Sequence, residues 1–244
     1  MSRVADTLIL VPTYNERGNV ERTVSQLLAL PLDFDLLFVD DASPDGTGTL
    51  LDALALQHAR LRVLHRGGKL GIGSAHLAGI RHAYASGYNT LITMDCDGTH
   101  PPEKIPEFLA RACEHDVICG SRYLLKNSLQ EWTLLRKAMT RAGHMLTTTL
   151  LRLPYDASSA YRLYNLKQVP LAAFERVQAK GYGFFFESLY VLHVNGMRIG
   201  EVGIHLPARG AGHSKMSPRE AASGLWRLFR LCAEIAVRRE KYKV

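Results

Sequence analysis

Asp95 and Asp97 are separated by one residue and come directly after the short apolar run Leu91 to Met94. On an extended segment residues i and i+2 project to the same side, so this spacing presents two carboxylates together. Such a pair can hold a hard divalent cation, Mg²⁺ or Mn²⁺, whose shell is completed by phosphate oxygens and water. A cation held there acts as a Lewis acid on a diphosphate leaving group. The same residues also suit a solvated turn with helix-capping aspartates, since Pro101 follows closely. A second acidic segment, Asp40-Asp41-Ala42-Ser43-Pro44-Asp45-Gly46, comes after Leu36 to Val39. Its carboxylates can accept hydrogen bonds from a nucleobase edge or ribose hydroxyls. They can equally close an Asx turn, for which Asp-Gly is a common signal, and the two uses are compatible. A third polar segment, Pro12-Thr13-Tyr14-Asn15-Glu16, comes after Leu8 to Val11. The loop from Arg66 to Gly73 offers backbone N–H groups at a helix start to a phosphate, with Arg66 or Lys69 adding charge.

The elements that must position these groups can be read from the same pattern. The three apolar runs are short buried strands, and helical patterns separate them, as expected for an α/β fold with a mostly parallel central sheet flanked by helices. In such sheets ligands bind outside the carboxyl ends of the strands, so the three polar segments share one edge. A helical pattern runs from Thr47 through His58, a strand covers Leu61 to Leu64, and a helix runs from the glycine loop to about Ser86. Pro101 and Pro102 open another helix, and Val117 to Cys119 is a further buried strand ending at Gly120-Ser121-Arg122-Tyr123. In the second half, Trp132, Leu135, Met139, Leu146 and Leu150 give an apolar helical face with Arg136, Lys137 and Arg141 beside it. After Asp156 to Asn165 the pattern shortens into turns and brief strands. Ser217-Pro218-Arg219-Glu220 is a capping box with proline at the first helical position. Leu225, Leu228, Phe229, Cys232, Ile235 and Ala236 then follow one helical face. The expectation is one domain over residues 1–244, with 217–240 as an appended basic amphipathic helix.

A chain of 244 residues can bury one large core. Hydrophobic content of 47% and charged content of 22% are those of an ordinary globular protein. No apolar run is long enough to span a membrane, and the N-terminus has no charged segment followed by a long apolar core. Cys96, Cys113, Cys119 and Cys232 form no close-spaced metal pair and suit a reducing compartment; a cytoplasmic location is expected. The net charge of +7 is concentrated at the end: from Lys215 onward eight Lys or Arg stand against three Glu. Gly71-Ile72-Gly73-Ser74-Ala75-His76 imitates a dinucleotide fingerprint, but His76 replaces its third glycine and the segment follows the third strand, which argues against a dehydrogenase. A nucleic-acid-binding reading of the basic charge leaves Asp40, Asp41, Asp95 and Asp97 repelling phosphates, so no nucleic-acid partner is expected.

Taken in order, Pro12 to Glu16, Val39 to Thr47, Asp95-Cys96-Asp97 ahead of His100-Pro101-Pro102-Glu103, and Gly120-Ser121-Arg122-Tyr123 resemble the inverting glycosyltransferases of family 2, specifically the dolichol-phosphate (polyprenyl-phosphate) mannose synthases. The likeness runs from about residue 7 to 230. It implies a GT-A fold, in which mannose passes from GDP-mannose to a polyprenyl (dolichyl or undecaprenyl) phosphate with inversion. By position it implies a nucleotide pocket of Pro12, Tyr14, Glu16, Val39, Asp41, Lys69 and Cys96, with Asp95 and Asp97 binding Mg²⁺ or Mn²⁺ through the donor diphosphate. Thr99 stands where relatives often carry glutamine. Arg122 and Arg136 align with arginines that hold the acceptor phosphate, and a guanidinium recognises phosphate bidentately. Arg209, Ser214 and Lys215, in Arg-x-x-Gly-x-Ser-Lys, match a late loop that closes over both phosphates. Ala160 replaces a glycine in the segment Asp156 to Arg162, and Phe186 replaces a polar or aliphatic residue in Gly181 to Glu187. These two departures leave the sugar open on sequence alone.

An acceptor phosphate is already anionic at neutral pH, so the expected reaction is its in-line attack on the anomeric carbon, positioned by Arg122, Arg136 and Arg209. Asp97 and Glu187 are the carboxylates considered for any further role, with Asp97 expected as a metal ligand. The terminal helix, with Trp226, Phe229 and several arginines, either lies on an anionic membrane surface or packs its apolar face on the domain. The resemblance implies a peripheral enzyme on the cytoplasmic face of a membrane, with a separate membrane subunit as a possible partner. Two alternatives stay open: a UDP-sugar-dependent polyprenyl-phosphate transferase for glucose or N-acetylhexosamine, and a catalytically silent membrane-associated subunit.

Overall fold

The computed structural model describes residues 5–130, 132–206 and 218–244; the side chains of residue 135 and of 218–221 are outside the description. The first half alternates strand and helix: β1 (Thr7–Thr13), α1 (Arg17–Leu28), β2 (Asp35–Asp40), α2 (Thr47–Gln57), β3 (Leu61–His65), α3 (Ile72–Ala85) and β4 (Thr90–Thr93). There follow α4 (Ile105–Arg111), β5 (Val117–Ser121), α5 (Leu134–Leu150), β6 (Arg162–Asn165), α6 (Leu171–Glu175), α7 (Gly183–Val194), β7 (Ile199–Gly203) and α8 (Pro218–Arg238). The strands form one seven-stranded sheet in the order β3-β2-β1-β4-β6-β5-β7. β6 alone runs antiparallel, paired to β4 on one side and β5 on the other.

The sheet is buried on both faces, which is why its strands read as continuous apolar runs. Alternate residues go to opposite sides. Leu8, Leu10, Leu37, Val39, Leu91 and Tyr164 join the core under α3, α6 and α7. Ile9, Val11, Leu36, Phe38, Ile92 and Leu163 join the core under α1, α2 and α4. A one-residue slip of any of these strands would exchange the two sets.

Two elements depart from the sequence reading. Residues 183–194 form a helix, α7, where turns and brief strands were expected. Gly183 to Leu192 are all buried, and a helix that is apolar on every side carries no 3.6-residue period to read. α5 is helical as expected, but its apolar positions are not all covered: Leu134, Met139, Met145 and Leu150 are exposed, while Leu146 packs on the core.

α8 docks on the domain through one face. Leu228 and Leu231 are buried, and the Arg227 guanidinium grips the buried Glu187 of α7 at 2.9 and 2.5 Å. Leu225 and Phe229, expected on the same face as Leu228, are instead exposed together with Trp226 and Val237, Trp226 being 70% exposed. The capping serine expected for this helix, Ser217, is outside the described residues. Among the described residues no helix is long and apolar enough to cross a membrane.

Candidate active site

The carboxyl ends of β1, β2 and β4 lie side by side because the strands pair in parallel, with Pro12 opposite Val39 and Leu10 opposite Thr93. The loops that leave them are tied to one another. The Asn15 N–H donates to Ser43 Oγ (3.0 Å), the Glu16 N–H to Thr47 Oγ1 (2.9 Å) and the Arg17 N–H to Asp45 Oδ2 (3.2 Å). Residues 40–47 therefore supply acceptors to N–H groups at the start of α1, which have no intrahelical partner.

Asp40 and Asp41 divide the two roles considered for them. Asp40 is turned into the loop, where it accepts from Thr13 Oγ1 (3.1 Å), the Ser43 N–H (3.0 Å) and Ser43 Oγ (2.5 Å). Asp41 points to the segment that follows β3. Its Oδ2 accepts from the Leu70 N–H (3.2 Å), and its Oδ1 lies 2.9 Å from Arg66 Nη1. That close approach misses hydrogen-bond geometry, so Asp41 Oδ1 and Arg66 Nη1 are both buried without a hydrogen-bond partner. Burial pushes the Asp41 carboxyl above the usual carboxylate range, opposed by the Arg66 guanidinium and the Leu70 N–H. A buried pair with unused hydrogen-bonding capacity can receive the polar edge of a ligand. Lys69 Nζ stands 4.7 Å from the centre of the Tyr14 ring, a cation–π contact that joins the segment after β3 to the loop after β1. Glu16 is buried and accepts from Asn19 Nδ2 (2.7 Å).

Asp95 and Asp97 lie just past β4. The Asp97 carboxylate is oriented by Thr99, whose N–H and Oγ1 both donate to Oδ1 (3.0 and 2.6 Å). The Asp95 N–H donates to His100 Nδ1 (2.8 Å), which places the imidazole proton on Nε2, 3.9 Å from Asp95 Oδ2. His100 in turn stacks on Tyr161 at 5.0 Å. Cys96, between the two aspartates, is buried, and its carbonyl accepts from Thr23 Oγ1 (3.1 Å). Among the described residues no group of three or more His, Cys, Asp or Glu is placed to hold a metal ion. Two hard oxygen donors without a third fit a cation that arrives with a diphosphate rather than a closed protein cage.

Arg122 follows β5 and is fixed by the buried Asp156, which accepts from its Nε (2.7 Å) and its backbone N–H (3.2 Å). Asp156 is itself held by donating its N–H to Glu201 Oε1 (2.7 Å). Tyr123 bonds the Thr140 carbonyl of α5 at 3.1 Å and stacks on His144, so the β5 loop is pinned to the helix that carries Arg136. The Arg136 guanidinium lies over the Trp132 ring at 3.5 Å. Arg209, Ser214 and Lys215 fall outside the described residues. Ala160 and Phe186, the two departures from the family pattern, are both buried in the core on the α3 and α7 side. Glu187 has no place at this edge: it is fully buried, and its carboxylate is taken by Arg227 and by the N–H groups of Gln178 (2.9 Å) and Ala179 (3.1 Å). The sequence reading missed the structural parts of Asp156 and His100, whose partners are distant in the chain or set by loop geometry.

A mostly parallel seven-stranded sheet flanked by helices, with carboxylates gathered at the ends of its neighbouring parallel strands, is the architecture of a GT-A fold. Residues 8–169 match the family described as "Glycosyl transferase family 2", and the chain belongs to that family. It is 36% identical over 211 residues to the undecaprenyl-phosphate mannosyltransferase of Micrococcus luteus, covering 86% of this chain and 87% of that one. It is also 36% identical over 214 residues to the polyprenol monophosphomannose synthase of Mycolicibacterium smegmatis, covering 86% and 81% respectively. Among solved structures, glucosyl-3-phosphoglycerate synthase of Mycobacterium tuberculosis superposes with a TM-score of 0.67 at 18% identity, over 95% of this chain and 81% of that one, which shows the shared fold.

Proposed function

We propose that this protein transfers mannose from GDP-mannose to a polyprenyl phosphate with inversion at the anomeric carbon. The observation that carries the reading is likeness over 86% of the chain to two enzymes named for mannosyl transfer to polyprenyl phosphates, together with carboxylates at three adjacent strand ends.

Asp41 takes donor N–H groups of the base, and Arg66 holds that carboxylate in place and offers its own buried N–H to a ring carbonyl. Pro12 and Tyr14 form the apolar walls, Lys69 faces the phosphates, and Glu16 and the Cys96 backbone close the floor; Val39, expected to line this pocket, is wholly buried in the core and backs Pro12 from the neighbouring strand. Asp95 and Asp97 hold Mg²⁺ or Mn²⁺, which when bound supplies Lewis-acid stabilisation of the departing diphosphate. Thr99 keeps Asp97 turned for that task, an orienting contact of the kind metal ligands commonly require. Arg122, held by Asp156, presents its remaining guanidinium edge to the acceptor phosphate, with Arg136, Arg209, Ser214 and Lys215 as further contacts. An acceptor phosphate oxygen forms the new bond to the anomeric carbon as the bond to the diphosphate breaks. That oxygen is already anionic, so no protein base is required and Asp97 stays a ligand.

The acceptor is a lipid, and the uncovered face of α8 meets it. Leu225, Trp226 and Phe229 enter the headgroup boundary, while Arg230, Arg238 and Arg239 contact anionic lipid at the cytoplasmic face. The uncovered apolar positions of α5, with Lys137 and Arg141 beside them, give a second contact.

The test is calorimetric titration with GDP, UDP and GDP-mannose, each with Mn²⁺ and with EDTA. Metal-dependent binding of GDP and GDP-mannose with UDP silent is expected. Preference for UDP replaces the sugar assignment, and no nucleotide binding at all overturns the reading.

A further inference from the structure

Among the described residues, Glu187 and Arg227 share no hydrogen bond or ion pair with a residue given a part in the reaction. They are nonetheless joined to the Asp41 pocket by an unbroken series of direct contacts. On one side, the Glu187 carboxylate takes two bonds from the Arg227 guanidinium of α8. On the other it accepts the N–H groups of Gln178 and Ala179, the start of the loop that leads into α7. The next residue of that loop, Lys180, accepts the Ser74 N–H with its carbonyl at 3.0 Å. Ser74 Oγ accepts from Arg66 Nη2 at 2.7 Å, and Arg66 Nη1 is the group beside Asp41 Oδ1.

The join between the 178–183 loop and α3 leaves no slack. Gly71 has φ +98°, and a Cβ there would stand 2.6 Å from the Lys180 carbonyl oxygen. The loop cannot shift toward the glycine segment, and a shift away removes one of the two acceptors of the Ser74 N–H, leaving only the Gly71 carbonyl at 3.1 Å. On its α8 side the loop is less tightly packed: a cleft of about 150 Å³, lined by Ala179 to Gly183 with Ser223, Gly224 and Arg227, separates it from the helix. The Glu187–Arg227 ion pair, buried at the carboxylate, therefore ties α8 to the loop across a gap.

We propose that Glu187 is a positioning residue of the donor site: clamped by Arg227, it sets the 178–183 loop, and through Lys180, Ser74 and Arg66 it sets the Asp41 carboxylate, so that docking of α8 controls nucleotide affinity. This rests on the nucleotide reading of Asp41. A relay of packed hydrogen bonds becomes a coupling only when perturbation at one end is measured at the other.

The experiment is titration of the full chain with GDP and with UDP in the presence of Mn²⁺, well below each variant's unfolding temperature. The variants are Arg227→Met, Arg227→Lys, Glu187→Gln, Ser74→Ala and Arg227→Met/Ser74→Ala. Arg198→Met serves as control, since it breaks the Asp116 ion pair at the opposite end of β5. Arg227→Met and Glu187→Gln are expected to raise the Kd of the bound nucleotide about 3- to 30-fold. Arg227→Lys recovers part of the loss, and Arg198→Met leaves Kd unchanged. Because Arg227 and Ser74 act on one path, the double variant weakens binding by less than the product of the single effects. A folded Arg227→Met with Kd within twofold of wild type, or single effects that multiply independently, overturns the inference while leaving the nucleotide reading intact. If Arg227→Met does not fold, the same cycle run with Arg227→Lys decides. Failure of the wild-type chain to bind either nucleotide overturns both.

Discussion

His76 makes acid sensitivity a sharp test of the packing behind the site. It lies on α3, 1% exposed, stacked on Phe184 at 5.8 Å and edge-on to Phe185 at 5.1 Å. Its Nε2 is buried without a hydrogen-bond partner. Burial, with the nearby Arg162 charge, pushes its pKa down to about 3 from an ordinary 6.5. The folded protein thus holds the ring neutral while the unfolded chain protonates it below pH 6.5. Unfolded chains then bind the extra proton, so stability falls as pH falls, over the window from 6.5 down to about 3. At pH 5 the window has been entered by roughly 1.5 units, which costs about 2 kcal/mol at about 1.4 kcal/mol per unit. The perturbation is His76→Phe, which keeps a ring against Phe184 and Phe185 and removes the titration. Urea unfolding of both proteins at pH 7 and pH 5 provides the assay. Overpacking by the phenylalanine shifts both of its values alike, so the informative quantity is the difference of the two pH losses. Wild type should lose about 2 kcal/mol more than the variant between the two pH values. Equal losses would show that His76 is protonated in the folded state, and would refute the argument from burial.

Three further outcomes follow from the site. Asp41→Asn leaves Arg66 buried without its carboxylate and should raise the Kd for GDP by about 30- to 100-fold, since breaking one side of a buried charged pair costs 2 kcal/mol or more; calorimetry reads it directly. Thr99→Val removes the hydroxyl bond to Asp97 while keeping the backbone one, and should raise the Mn²⁺ concentration needed for half-maximal mannosyl transfer about 10-fold, whereas Asp95→Asn or Asp97→Asn should abolish most of kcat at any metal concentration. Trp226→Ser/Phe229→Ser should lower partition onto vesicles containing anionic lipid at least about tenfold, measured by sedimentation; unchanged partition would remove α8 from the membrane surface.

The strands of the first half were legible because each is a continuous apolar run, and their order along the chain places Asp41, Asp95 and Asp97 at one edge without further information. The choice between Asp40 and Asp41 was not legible. It depends on a turn in which Ala42 and Gly46 both take positive φ, +54° and +84°, with the Asp40 carboxylate turned into the loop and the Asp41 carboxylate turned to the segment after β3. The Arg66 partnership needs β3 to end beside β2, a pairing that composition does not encode. α7 escaped because full burial erases periodicity, and Glu187, read as a candidate for chemistry, proved to be the anchor of a helix. The reverse holds for α5, whose periodicity was clear although Leu134, Met139, Met145 and Leu150 on it are exposed. The buried Arg162 carries a related lesson. It is fully enclosed and donates to Ala157 O, Phe185 O and Ser188 Oγ, a brace between a loop and α7 that no local pattern in the sequence announces.

The single antiparallel strand has a consequence for how the chain comes to be made. β6 is four residues long, yet the hydrogen-bonded ladder between the β3-β2-β1-β4 block and the β5-β7 pair passes entirely through it. A ribosome delivers residues 7–93 first, and those four strands can pair as they emerge. Val117–Ser121 emerges next and finds neither ladder partner, because both β6 and β7 are still unsynthesised. At roughly 5–20 residues per second, the wait for residues 162–165 lasts several seconds, with an apolar strand edge of the kind that nucleates aggregation left open. The vulnerable interval in biosynthesis therefore belongs to the middle of the chain, and a nascent polypeptide stalled before residue 160 keeps that strand without either ladder partner.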